Sequence, residues 1–361
     1  MTEQAAEKAA SPAHLIVRAA LRTDVGLVRS ENQDFGTFTT ADEESVSAPG
    51  GRLLIVADGM GGHRGGATAS RLAAETVKAQ YLGSETRDIA STLRDALARA
   101  NARIFAEAQS NPELRGMGTT TSVLAVRNGE GWFAHVGDSR IYLVRGEEIK
   151  QLTEDHSLVA SMVREGLLTT KEAENHPRRN VLQRSMGVAE DVEIDVSAPI
   201  HLQEGDTFIL CSDGLHGVVK EEEIKEVVVA GPTIDDAAEE FIRRALARGA
   251  PDNVTVIVAR VELGTGEAPP PDKFEDTQPI DDTLPYDETV RDTEPLEIPP
   301  ELLAEDEQAE AAGKTLETAA PVPEPVAASK PAQRRRPMLM WMVLVVLVLG
   351  AAGVWYIWNH S

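Results

Sequence analysis

"RLLIVADGMGGHRGG", residues 52–66, sets the problem of this chain. An uninterrupted apolar run, Leu53–Ala57, leads into Asp58, and glycines then crowd around His63. A short run of this kind, rich in aliphatic residues, reads as a buried strand. A carboxylate at its end costs desolvation, and a turn so rich in glycine costs backbone entropy. Both make sense where a carboxylate and a closely approaching backbone are needed at one point. The pattern returns in "TFILCSDG", residues 207–214, where Asp213 ends an apolar run and Gly214 follows.

Around these two runs, "HLIVRAALR", "TTSVLAVR", "GWFAHVGD", "IYLVR", "VEIDVSAP" and "NVTVIVARVEL" also read as strands. Helical periodicity marks "ATASRLAAETVKAQYL", "DIASTLRDALARANARIFAEAQ", "SLVASMVREG" and "IDDAAEEFIRRALARG". Two long helices follow the early strands, a block of strands comes next, and another long helix precedes the last strand. That is not the regular alternation of a doubly wound parallel sheet. It predicts an α+β fold of antiparallel sheets with helices packed outside.

Three more aspartates stand where strands meet loops. Asp138 lies in "FAHVGDSR", Asp252 in "GAPDNVTVIV", and Asp34 after an early strand in "VRSENQDF". Any one of them alone reads as a turn or helix cap. Gathered on one rim of a sheet, five carboxylates would repel one another unless cations compensate them. Oxygen donors without a histidine or cysteine cluster select Mg²⁺ or Mn²⁺. A bare backbone at Gly59 would let a carbonyl approach such an ion, and Gly61 and Gly62 would let the turn close.

"GLVRSENQD", "VADGMGGH", "GTTTSVLAV", "HVGDSRIYLV", "LTEDHSLV", "FILCSDGL" and "DNVTVIV" together resemble the ordered motifs of the metal-dependent protein phosphatases of the 2C type, in their bacterial Ser/Thr branch. The resemblance covers about residues 14–262. It implies a four-layer α/β/β/α sandwich of two antiparallel sheets, and hydrolysis of phosphoserine and phosphothreonine by a metal-activated water. It implies that Asp58 bridges two metals, that the Gly59 carbonyl serves the second, and that Asp213 and Asp252 complete the first. Asp34 matches an acid holding metal-bound water, and Asp138 the ligand of a third, weaker metal. Arg29 matches the arginine that grips the substrate phosphate, and Asn253 a residue beside the metals. About Ser161–Gly187 matches a variable flap. Gln33 stands where eukaryotic members have glutamate, and Met60 where they have a histidine proposed as general acid. His63, the nearest histidine, is either that acid or a loop residue fixing the turn. His156 is expected to order the base of the flap and His135 to be a buried strand histidine. His14, His176, His201 and His216 show no ligand spacing.

The remaining chain is of other kinds. Residues 1–13 read as a disordered lead. Residues 263–329 hold 18 acidic and 3 basic residues with 11 prolines, a composition for an extended acidic tether through residue 333. Thr289 with Asp292 resembles a phosphothreonine site for a forkhead-associated domain. "MLMWMVLVVLVLGAAGVWYIW", residues 338–358, has no charge over 21 residues, about 32 Å of helix and about one bilayer core. Arg334, Arg335 and Arg336 before it predict a single pass through the inner (cytoplasmic) membrane, catalytic domain inside. The formal net charge of −24 argues against nucleic acid as a partner. Cys211 is the single cysteine, so no disulfide forms within the chain, and it reads as a core thiol. The expected partners are phosphorylated proteins, membrane-tethered Ser/Thr kinases among them. A rival expectation, a catalytically dead phosphoprotein scaffold, would show a missing metal ligand, and each matched position is filled.

Overall fold

A computed structural model describes residues 15–40, 43, 51–61, 65–231 and 233–264. The N-terminal lead, the acidic tether from residue 265 on, Thr289, residues 338–358 and His63 with its neighbours Gly62 and Arg64 lie outside the described residues, while Leu263, counted to the tether in the sequence, ends the last strand. Among the described residues, no helix is long and apolar enough to cross a membrane.

Two sheets form, and every described strand pairing is antiparallel. The first follows the order β1 (Leu15–Asp24), β12 (Val254–Leu263), β11 (Thr207–Cys211), β7 (Arg140–Arg145), β8 (Glu148–Gln151). The second runs β10 (Ile200–His201), β6 (Glu130–Val136), β5 (Thr121–Arg127), β3 (Arg52–Met60), β2 (Asp34–Phe38). The two-residue strands β4 (Gly118–Thr119) and β9 (Asp195–Val196) pair with β3 and β6.

The central strands are apolar on both faces, which explains runs that do not alternate with polar residues. In β3, Leu54 and Val56 join Leu124, Phe208, Leu210, Ile257 and Ala259 in a core between the sheets. Leu53 and Ile55 point the other way, against α1 (Gly65–Leu82) and α2 (Ile89–Ser110), where Ala69, Val77, Leu93 and Leu97 cover them. On the opposite side, Ile209, Cys211, Val256 and Val258 meet α6 (Glu221–Ala230) and α7 (Ile234–Ala247) through Ile224, Ala238 and Phe241. The result is helix, sheet, sheet, helix, as the family resemblance implies. Cys211 is fully buried, and burial pushes its thiol up to about 12, as befits an inert core residue.

Helix starts follow local chemistry. Asp88, Ser157 and Thr233 cap α2, α3 (Leu158–Arg164) and α7 through side-chain oxygens that accept from backbone N–H groups. Helix α6 has no counterpart in the sequence expectations. Its dense acids, Glu221–Glu223, mask a narrow apolar stripe of Ile224, Val227 and Val228. "VEIDVSAP" was expected as a full strand, yet only Asp195 and Val196 form one; the Ser197 N–H still donates to the Phe133 carbonyl of β6, and pairing resumes at β10.

Candidate active site

The five aspartates arrive at one rim from different elements. Asp34 opens β2 rather than following a strand, and it pairs in register with Asp58 of β3, so two carboxylates face each other across one rung. Asp58 lies inside β3, not at its end, because β4 extends the pairing through Met60. Asp138 sits in the β6–β7 turn, Asp213 starts the one-turn helix α5 (Asp213–His216), and Asp252 directly precedes Asn253 and β12.

The two Asp-Gly steps have a common physical reason. A Cβ on Gly59 would lie 2.1 Å from the Gly66 carbonyl oxygen and 2.5 Å from that of Gln33. A Cβ on Gly214 would lie 1.9 Å from the carbonyl oxygen of Asn253. Each glycine lets a second backbone pass against the residue after the aspartate. In the first case that backbone is the start of α1; in the second it is the segment carrying Asp252. Gly61, at φ +131°, makes the turn as expected.

Threonines and serines hold the acids from behind. The Asp58 N–H donates to Thr120 Oγ1 at 3.0 Å, and its carbonyl accepts from Thr119 Oγ1 and Thr120 N–H, both at 2.9 Å. Ser212 Oγ donates to Asp34 Oδ2 at 2.7 Å, and Thr255 N–H donates to Ser212 Oγ at 3.0 Å. Burial first, with neighbouring carboxylates adding to it, raises Asp34 to about 7, Asp138 to about 8 and Asp213 to about 6. Asp58 rises well above the usual carboxylate range, first by burial and then by repulsion from Asp34, Asp213, Asp138 and Asp252. These acids therefore lie within electrostatic reach of one another. Among the described residues, no group of three or more histidines, cysteines or acids is drawn tightly enough to hold an ion unaided.

Asp138 is placed by three histidines. His156 accepts the Gly137 N–H at Nδ1 (3.1 Å), and its own N–H donates to the Gly137 carbonyl (2.7 Å). His135 Nε2 lies 3.0 Å from that carbonyl, and His216 Nε2 lies 3.0 Å from the carbonyl of Asp138. Burial drives His135 and His216 down to about 3 and lowers His156, so all three are neutral near pH 7. His135 is the buried strand histidine expected. His156 orders the flap base, bonding Asp195 Oδ2 at 3.1 Å and accepting the Gln183 N–H at its carbonyl. His216 had no signal in sequence, since it acts through a carbonyl of a distant turn.

Arg29 projects from an exposed loop, with Nη2 2.8 Å from Asp252 Oδ2. That bond is the main reason its pKa is raised. From the flap, which carries α3 and α4 (Thr170–Glu174), the charge of Arg179 pulls Asp213 down. Sequence reasoning did not single out Arg179, because nothing in its spacing marks it.

The family described as protein phosphatase 2C matches residues 30–254. The chain belongs to the protein phosphatase 2C family. The serine/threonine phosphatase stp of Listeria monocytogenes is 37% identical over 252 residues, covering 68% of this chain and 97% of that protein. The crystal structure of the serine/threonine phosphatase PstP/Ppp of Mycobacterium tuberculosis is 36% identical, with a TM-score of 0.61 over 68% of this chain and 99% of that one. A structure of the PstP catalytic domain in complex with two manganese ions is 34% identical, with a TM-score of 0.59 over 69% and 99%. The family match over residues 30–254 takes in β2 to β11 and helices α1 to α7.

Proposed function

We propose that the chain is a metal-dependent protein serine/threonine phosphatase, held at the cytoplasmic face of a membrane by residues 338–358 and opposing Ser/Thr kinases. The observation that carries the chemistry is the convergence of Asp34, Asp58, Asp138, Asp213 and Asp252. Burial first, and their mutual repulsion after it, raises the pKa of the buried members. An all-oxygen donor set with excess negative charge fits Mg²⁺ or Mn²⁺.

Asp58 and the Gly59 carbonyl would hold the ions together with Asp213 and Asp252. Asp138 would serve a third, weaker one, and Asp34 would accept hydrogen bonds from water beside them. When bound, such a pair of ions supplies a deprotonated water as nucleophile and takes up phosphoryl charge. Arg29 would leave Asp252 to present its planar fork to two phosphate oxygens. His63 would return a proton to the leaving oxygen. In-line attack needs no nucleophile from the chain, which agrees with a rim that offers carboxylates and no reactive thiol.

The test uses the full-length chain in detergent with a phosphothreonine peptide. Turnover is expected with Mn²⁺, and it should vanish with chelator or with Asp213→Asn. Turnover insensitive to chelator would overturn the proposal. The anchor rests on the uncharged 338–358 stretch after three arginines. Removing it should move the chain from the membrane to the soluble fraction. The recruitment of a forkhead-associated-domain protein rests on Thr289 with Asp292. Intact mass after co-expression with a kinase tests it, and an unmodified tether would dismiss it.

A further inference from the structure

The loop between β1 and β2 carries Arg29, and its residues 27–31 are all exposed. An exposed arc of this length has no packing of its own to keep a guanidinium in one place. A buried amide ties its two ends, and nearer the surface Asn32 adds a bond from Nδ2 to Thr23 Oγ1 at 2.8 Å. Asn253, 5% exposed, donates from Nδ2 to the carbonyls of Val25 and Glu31, both at 2.9 Å. Its Oδ1 accepts the Gln33 N–H at 2.8 Å. One side chain thus ties both ends of the arc.

Asn253 also joins that arc to the acid rim. Its main-chain N–H donates to Asp252 Oδ1 at 2.9 Å, while Asp252 Oδ2 accepts from Arg29. Two backbone contacts keep the loop seated: Leu27 N–H donates to the Ala250 carbonyl at 2.9 Å, and Gly26 lies so near Asp252 that a Cβ there would meet its carbonyl at 2.3 Å. Only a primary amide offers two donors and an acceptor on so short a stem. A carboxylate of the same shape would turn an acceptor toward two carbonyls.

We propose that Asn253 is a positioning residue that presets Arg29 for the substrate phosphate. This rests on the phosphatase reading and names what holds its phosphate-gripping arm. A guanidinium must sit within about 0.5 Å of its productive place to engage two oxygens, and the arc alone does not ensure that.

Asn253→Ala, Arg29→Ala and the double variant, in the full-length Mn²⁺-loaded protein, test it. For Asn253→Ala, the KM for a phosphothreonine peptide and the inhibition constant of inorganic phosphate should each rise at least tenfold. Mn²⁺ affinity by calorimetry should stay within twofold. In the Arg29→Ala background the same change should cost less than twofold. A further tenfold loss in that background would overturn the proposal, as would a tenfold loss of Mn²⁺ affinity with KM unchanged. Should Asn253→Ala fail to fold, amide exchange in the unmutated protein decides. The Gln33 N–H should exchange at least tenfold more slowly than those of Arg29 and Ser30, and equal rates would refute the staple. Absence of hydrolysis by the unmutated protein would instead overturn the phosphatase reading, a result separable from the exchange pattern.

Discussion

Replacing Gly59 by alanine adds one methyl group where three backbone atoms already stand. The new carbon would lie 2.1 Å from the Gly66 oxygen, 2.4 Å from the Gly66 carbonyl carbon and 2.5 Å from the Gln33 oxygen. None of these is the tip of a flexible side chain, so either β3 or the first turn of α1 must retreat by roughly 1 Å, and such overpacking costs about 1–3 kcal/mol. The upper end applies, because the Gly59 N–H also donates to the Gln33 carbonyl at 3.1 Å and would be drawn off it. For a domain of this size, about 3 kcal/mol lowers the melting temperature by roughly 6–12 °C. The neighbouring Asp58 would move with the strand, and if it holds the metal ions as proposed, a misplacement of about 1 Å costs on the order of 100-fold in rate. Differential scanning calorimetry with Mn²⁺-dependent peptide hydrolysis measures both. Gly83→Ala is the comparison, since it meets one backbone atom, the Ala79 oxygen at 3.1 Å, instead of three within 2.5 Å, and it should cost clearly less than Gly59→Ala. A Gly59→Ala protein that melts within a degree of the original and keeps its rate would refute the argument that this glycine exists for a close backbone.

Further outcomes follow from the buried charges. His135 is fully buried with its pKa lowered to about 3. Between the unfolded value and that one, the unfolded chain binds a proton that the folded chain refuses, so stability falls as pH falls. From pH 7 to pH 5 this histidine's share is about 2 kcal/mol. Urea unfolding should show the pH 7-to-5 loss shrinking by about that amount in His135→Gln, and an unchanged loss would show that the ring takes up its proton in the fold. Without divalent ions, Asp213→Asn should melt at or above the unmutated protein, because it removes one carboxylate from a repelling set. On adding Mn²⁺ the unmutated protein should gain several degrees and the variant little. A variant less stable than the original in chelator would mean that Asp213 is held by attraction instead.

Much of this architecture is written in local pattern. Strands β3, β5, β11 and β12 announce themselves because burial on two faces demands continuous apolar runs, and the caps at Asp88, Ser157 and Thr233 set helix starts within a residue or two. The five aspartates were legible for a related reason: a charge beside such a run is expensive unless it has a use. What was not legible is whatever depends on a partner far along the chain. The glycine after Asp58 reads as room for an ion, yet its nearest neighbours are the start of α1 and the Gln33 backbone. His216 carries no ligand spacing, and Asn253, matched beside the metals by resemblance, gave no sign of the carbonyls it bonds, because a carbonyl has no signature in sequence. Arg29 shows the same limit from the other side. Its identity was evident, but its resting place on Asp252, 223 positions away, follows only once β1 and β12 lie side by side with Asp24 opposite Val254. That pairing carries the Arg29 loop and an acid to the same rim. The geometry of the site is therefore a property of the register of β1 against β12 as much as of the residues that line it.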